Sequence, residues 1–351
     1  MLFETFTAGG CRSYALGCED TRAAVLIDPE LGLLDHYRGY LSRRGLALRY
    51  IVDTHTHADH FTASRQLAKV TGAPVVMHRL SAAPHADLRL DDGDMLIAGG
   101  LKLTALHTPG HTRDSMCLLM DDRVFTGDTL LIGGTGRTDL PTGDPHELYD
   151  SLFQKVLALP GETLVYPAHD YKGRSHSTIA EEMAANPRLQ KTERAAFVAM
   201  MRDLDLAAPT HLTEALRTNM SGGKTVAQLL SEAASRVPFM SLAELNSRLG
   251  DNSGDLVVLD LREKEAFEVG HISGARHLPR GQLELRVNSE LPDPTARIIT
   301  CCEFGKISTL AAATLRELGF MRATALDGGM AAWREAGYAV EAKAGGDLVA
   351  L

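Results

Sequence analysis

Short apolar runs recur between Gly, Pro and Asp punctuation from Tyr14 to about Val165: Ala23–Ile27, Tyr50–Val52, Pro74–Met77, Leu101–Leu103, Met116–Met120 and Arg123–Phe125. Their length and spacing predict strands. Between some of them lie helical patterns, Phe61–Val70 and Pro145–Leu157. Asp144 is placed to cap the second, and Pro145 suits a first helical position. Ser177–Ala199 and Thr213–Ser231 are rich in Ala, Glu, Leu, Met and Arg and read as helical, with a break at Ser221–Lys224. A second alternation begins at Met240–Leu245 and continues through strand Leu256–Leu259, strand Arg297–Thr300, helix Ser308–Leu318 and a closing segment Trp333–Val340. The pattern predicts two α/β modules, 1–232 and 233–345. The length of 351 residues agrees, since one core serves roughly 150 residues.

Composition narrows the function. Hydrophobic content of 44% and charged content of 23% are ordinary for a globular chain. A net charge of -9 and a pI near 5.9 argue against a nucleic-acid binder, whose affinity rests on clustered Lys and Arg. No stretch approaches the ~20 apolar residues of a membrane span, and Met1–Thr5 carries an acid where a secretory signal is basic. A cytoplasmic enzyme without a membrane partner is expected. Five cysteines without a disulfide-framework spacing fit a reducing compartment.

The chemistry concentrates just after the apolar runs. His55-Thr56-His57-Ala58-Asp59-His60 follows one, and His111, Asp128 and His169 each follow another. Seven imidazoles and carboxylates at strand ends predict a metal site on rigid support. Residue types alone favour two metals, with His57, Asp59, His60 and His169 building a second site of the glyoxalase II type and Asp128 bridging.

The order HxHxDH, His, Asp, His resembles the metallo-β-lactamase superfamily, whose fold is an αββα sandwich, over nearly all of residues 1–232. Thr126–Ile132, Gly136–Asp139, Leu159–Gly161, Tyr166–Tyr171 and Asn186–Leu189 are similar to persulfide dioxygenases in particular. That resemblance implies one Fe(II) per chain held by His55, His111 and Asp128, with His57, Asp59, His60 and His169 orienting those ligands through hydrogen bonds. It also implies glutathione persulfide and O2 as substrates, with Arg137 and Tyr171 contacting the glutathione portion. An Arg fork suits a peptide carboxylate.

In the second module Cys301-Cys302-Glu303-Phe304-Gly305-Lys306-Ile307-Ser308 joins a strand to a helix, where converging backbone N–H groups stabilise a thiolate. Leu259–Arg262, Phe267–Ala275 and Asp327–Trp333 complete a resemblance to rhodanese domains over about 238–341. Gly at +3 and Ser at +6 select Cys302 as the sulfur carrier, a small domain with a parallel sheet is implied, and thiosulfate becomes a further substrate. Ile307 stands where many rhodaneses have Arg, and Glu303 places an acid in a loop that receives an anion. The expectation is a fused persulfide dioxygenase and sulfurtransferase of sulfur metabolism, acting in hydrogen sulfide detoxification, with small-molecule partners and a homo-oligomeric state. The alternative is a dinuclear zinc thiolester hydrolase of the glyoxalase II type with a non-catalytic rhodanese-like module.

Overall fold

A computed structural model describes residues 1–170, 173–207, 212–250 and 256–342. Tyr171 lies outside the described residues. The chain divides into two compact units, Met1–Gly223 and Lys224–Leu351. The division precedes the 232/233 boundary expected from sequence because helix Val226–Arg236 packs through Ala233 against Ala312, Ala313 and Ala325 of the second unit. Helix Leu212–Ser221 stays with the first.

The first unit stacks two six-stranded sheets. One runs, in spatial order, Leu2–Ala8, Cys11–Gly17, Ala23–Ile27, Ala47–Val52, Val75–His78, Leu88–Leu90. The other runs Ser177–Thr178, Leu164–Pro167, Arg123–Gly127, Met116–Leu119, Leu101–His107, Met95–Ala98. Side chains alternate across a strand, so Tyr14, Leu16, Val25 and Ile27 face inward with Leu103, Leu118, Phe125 and Tyr166 of the facing sheet. Ala15, Ala24 and Leu26 point outward under helices Leu34–Arg44 and Ser64–Thr71. Cys117, Val124 and Val165 do the same under Leu148, Leu152, Phe197 and Met201. The layers are therefore helix, sheet, sheet, helix, an αββα sandwich.

Local chemistry explains most element ends. Asp144 Oδ1 accepts His146 N at 2.7 Å and Glu147 N at 3.2 Å, capping helix Pro145–Asp150 as expected. That helix does not run evenly to Leu157; it passes into a π turn, Ser151–Lys155, and a 3-10 turn, Val156–Ala158. The reading of one helix over Ser177–Ala199 gives way to two, Ile179–Ala185 and Arg194–Arg202, because Pro187 lacks the N–H a continuing helix needs.

In the second unit five strands pair in parallel, in the order Phe239–Met240, Thr324–Leu326, Arg297–Cys301, Leu256–Asp260, Arg276–His277. Both faces are covered. Leu259, Ile298, Ala311 and Leu315 form one core, and Val258, Ile299, Met330 and Trp333 the other, as a parallel sheet requires.

Candidate functional site

The first unit gathers its polar residues at one edge of the sandwich, each from a segment that follows a strand. His55 lies beyond Ala47–Val52, His111 beyond Leu101–His107, Asp128 directly after Arg123–Gly127, and His169 after Leu164–Pro167. The donor atoms of His55, His111 and Asp128 lie within 4.8 Å of one another.

Hydrogen bonds assign the imidazole protons. Asp28 accepts Thr54 N at 2.7 Å and Thr54 Oγ1 at 2.8 Å. The Thr54 hydroxyl has therefore spent its proton and accepts from His55 Nδ1 at 3.0 Å. His55 Nε2 is left as the lone-pair nitrogen, buried and without a hydrogen-bond partner. Burial, then the charge of neighbouring His57, pushes the His55 imidazolium down to about 3, which keeps the ring neutral and able to donate to a cation. His111 Nδ1 donates to the Arg137 carbonyl at 2.8 Å, which leaves its Nε2 facing Asp128 Oδ2, 3.6 Å away. Burial alone would raise the Asp128 carboxyl; His169 outweighs it and holds Asp128 well below the usual carboxylate range. Two imidazoles, one ionised carboxylate and an orphaned buried nitrogen fit a divalent cation.

The other four motif residues are arranged differently. His169 Nδ1 faces Asp128 Oδ1 at 2.7 Å and His169 Nε2 faces Asp59 Oδ2 at 2.6 Å. Burial opposes a charge on His169, but two flanking carboxylates raise it well above the ordinary imidazole range. Both ring nitrogens thus face carboxylates, while Cys11, Asp59, His60 and His169 bring donor atoms within 4.8 Å of one another. Asp59 Oδ2 also lies 3.3 Å from His60 Nδ1 and 3.5 Å from Cys11 Sγ. His57 is drawn into a separate buried group, its Nε2 3.2 Å from Asp28 Oδ1, with Asp53 beside it.

Several residues of this site carried no sequence assignment. Asp28 ends the apolar run Ala23–Ile27 as Asp128 ends its own, so the same strand-end signal was available. Asp53 ends the run Tyr50–Val52 in the same way, but Cys11 lacks such a signal, and so does Asn219, in helix Leu212–Ser221 far along the chain. The Asn219 amide donates to His57 O at 2.9 Å and His60 O at 2.8 Å and accepts Thr62 N at 3.2 Å, clamping the HxHxDH loop. Asn219→Ala is expected to weaken metal binding roughly tenfold, the scale of a lost ligand-orienting contact. Competition with a chelator measures it, and unchanged affinity would contradict the role.

Beside the triad opens a cavity of about 570 Å³ lined by Cys11, Asp59, His111, Asp128, Arg137 and Arg188 among others. Gly136 forms part of its wall because a Cβ there would come within 2.0 Å of Asp128 O and 2.9 Å of His111 Cβ. Arg137 is present, but its Nε and Nη2 hold the two Asp139 oxygens, each at 2.6 Å, and its Nη1 donates to Ala207 O at 2.7 Å. Arg188 donates to the neutral acceptors Thr135 O and Thr135 Oγ1, which makes it the guanidinium of this wall with the weaker internal partners.

In the second unit, Cys302 follows strand Arg297–Cys301 and precedes helix Lys306–Glu317. Its Sγ accepts from Ser308 N at 3.3 Å and lies 3.5 Å from Ser308 Oγ. Cys301 ends the strand fully buried, and burial pushes its thiol up. The glycines of Asp327-Gly328-Gly329 have a steric reason: Gly329, at φ +66, would carry a Cβ 2.4 Å from Cys302 O. Met330 N then donates to Cys302 O at 2.8 Å, fixing the loop from outside.

Comparison with known proteins matches these two sites to two family models. Residues 7–169 match the metallo-beta-lactamase superfamily and residues 241–336 a rhodanese-like domain. Over 227 residues the chain is 41% identical to the human mitochondrial persulfide dioxygenase ETHE1, a match covering 64% of this chain and 89% of that protein. The chain belongs to the persulfide dioxygenase family. The crystal structure of ETHE1 from Myxococcus xanthus superposes on this family member with a TM-score of 0.62 at 43% identity, over 64% of this chain and 100% of that one. A metallo-beta-lactamase from Staphylococcus aureus, at 23% identity, shares the fold with a TM-score of 0.59, over 93% of this chain and 98% of that one. The protein is therefore a persulfide dioxygenase family enzyme of α/β architecture that carries a rhodanese-like, sulfurtransferase-like second domain.

Proposed function

We propose that the first unit oxidises glutathione persulfide with O2 to sulfite and glutathione at a mononuclear Fe(II), and that the second passes sulfane sulfur between thiosulfate and glutathione through Cys302. The observation that carries the single-metal reading is the double engagement of His169 by Asp128 and Asp59. It engages both nitrogens of a residue that a second metal would need, and it leaves Asp128 Oδ2 directed at His111.

His55 Nε2, His111 Nε2 and an Asp128 oxygen would hold the iron, which, when bound, supplies open positions where a persulfide sulfur and O2 react together. The chain's own residues do the rest. Thr54 and Asp28 fix the His55 tautomer, and the Arg137 carbonyl fixes that of His111. His169 keeps Asp128 ionised through their 2.7 Å contact. Arg188 and Arg137 place positive charge on the cavity wall, suited to the carboxylates of a glutathione moiety; the Arg137 fork must be shared with Asp139 for that contact. Tyr171 is proposed as a second contact to the same moiety.

In the balanced reaction one persulfide, one O2 and one water give one sulfite and one glutathione. An oxygen electrode combined with sulfite determination tests it. Equal O2 consumption and sulfite release support the reading. Release of a thiol from a thiolester without O2 uptake would replace it with the zinc hydrolase.

A further inference from the structure

The acid that follows Cys302 is held between two arginines. Glu303 Oε2 lies 3.2 Å from Arg262 Nη1, and Glu303 Oε1 pairs with Arg334. Arg262 is buried, and its remaining donors are committed: Nε to Asp260 Oδ1 at 3.0 Å, and Nη2 to Asp260 Oδ2 and Gly270 O, each at 2.7 Å. Arg334 belongs to helix Gly329–Glu335, whose first turn is hydrogen-bonded to the Cys302 loop through Met330 N and, at 2.9 Å, from Ala331 N to Glu303 O. The fold thus brings two guanidinium groups to this loop and engages both, Arg262 with Asp260 and Glu303 and Arg334 with Glu303. Lys306 in the same loop is exposed, as are Ile307 and Phe304.

We propose that Glu303 sets the donor specificity of the Cys302 site, occupying the guanidinium groups that an anionic donor would otherwise engage and so disfavouring dianions relative to neutral reagents. The inference rests on the reading of Cys302 as a sulfur acceptor. In that step the Cys302 thiolate bonds to the outer sulfur of thiosulfate, and the thiosulfate S–S bond breaks with its electron pair leaving on sulfite. Three negative charges stand on each side. The donor carries two of them toward Glu303, and repulsion between close charges is strong where water is partly excluded.

The test uses the full chain with Glu303→Gln and Arg334→Gln. Loading of Cys302 by thiosulfate is followed by mass spectrometry, and alkylation of Cys302 by anionic iodoacetate and neutral iodoacetamide is followed by peptide mapping. Glu303→Gln is expected to raise both thiosulfate loading and the iodoacetate-to-iodoacetamide ratio about tenfold at low salt, with the gain shrinking near 1 M salt. Arg334→Gln, which leaves Glu303 less compensated, is expected to lower both. Loosening of the loop would instead accelerate iodoacetamide in both variants, and that result overturns the proposal. So does a ratio that stays fixed or moves in the same direction in the two. If thiosulfate loads no variant while the alkylation ratio moves with opposite signs, the donor-charge role of Glu303 stands and the sulfur-acceptor reading falls.

Discussion

His111→Ala is expected to abolish persulfide-dependent O2 uptake, a loss exceeding the 10–100-fold typical when only a ligand's hydrogen-bond partner is removed. The side chain turns its Nε2 toward Asp128 Oδ2 and makes one hydrogen bond of its own, to the Arg137 carbonyl. Its removal therefore withdraws a ligand while leaving the hydrophobic layers untouched. Iron content should fall with activity, the thermal transition should move only a few degrees, and thiosulfate loading of Cys302 should persist. O2 uptake within about tenfold of the unaltered enzyme would sink the assignment of His111 to the metal.

Cys302→Ser is expected to eliminate sulfur transfer from thiosulfate, because a hydroxyl at this position stays protonated at neutral pH and cannot carry a persulfide. Serine fits the space: Cys302 is buried, and its Sγ contacts are Ser308 N and Ser308 Oγ, which an oxygen can also meet. Oxidation of preformed glutathione persulfide should continue at the unaltered rate, since the site of that reaction lies wholly within the other compact unit. Mass spectrometry of the chain after thiosulfate treatment reads the first expectation and the oxygen electrode the second. A persulfide formed in the Cys302→Ser variant would assign the carrier to another cysteine.

The parts of both sites that follow a strand in sequence were legible before the fold was known. A short apolar run followed by His, Asp or Cys announces a side chain at a sheet edge, and His55, His111, Asp128, His169 and Cys302 all stand in that context. The division of labour among them was not. Whether His57 faces the triad or Asp28 depends on ring orientation inside one loop, and the pairing of His169 with both Asp128 and Asp59 joins three strand ends far apart in the chain. Asn219 illustrates the limit: one amide in an unremarkable helical stretch holds the metal loop through three backbone hydrogen bonds. Glu303 shows the converse. Its charge was visible as a departure from the rhodanese pattern, but its neutralisation by Arg262 and Arg334 depends on residues about forty and thirty positions away.

Element ends missed for local reasons. The run Pro145–Leu157 has an unbroken helical composition, and nothing in its periodicity signals the π turn at Ser151–Lys155. Helix Val226–Arg236 has an Ala-rich face that suits either unit; its partners Ala312, Ala313 and Ala325 decide the matter.

The central claim is one catalytic iron, not two zincs, in the first unit. Metal-free enzyme titrated with Fe(II) under anaerobic conditions, then assayed for O2 uptake with glutathione persulfide, tests it most directly. The arrangement of His55, His111 and Asp128, with His169 committed to two carboxylates, predicts that activity rises linearly and levels off at about one iron per chain. A plateau only at about two metals per chain, or thiolester hydrolysis restored by zinc in place of persulfide oxidation, would contradict it.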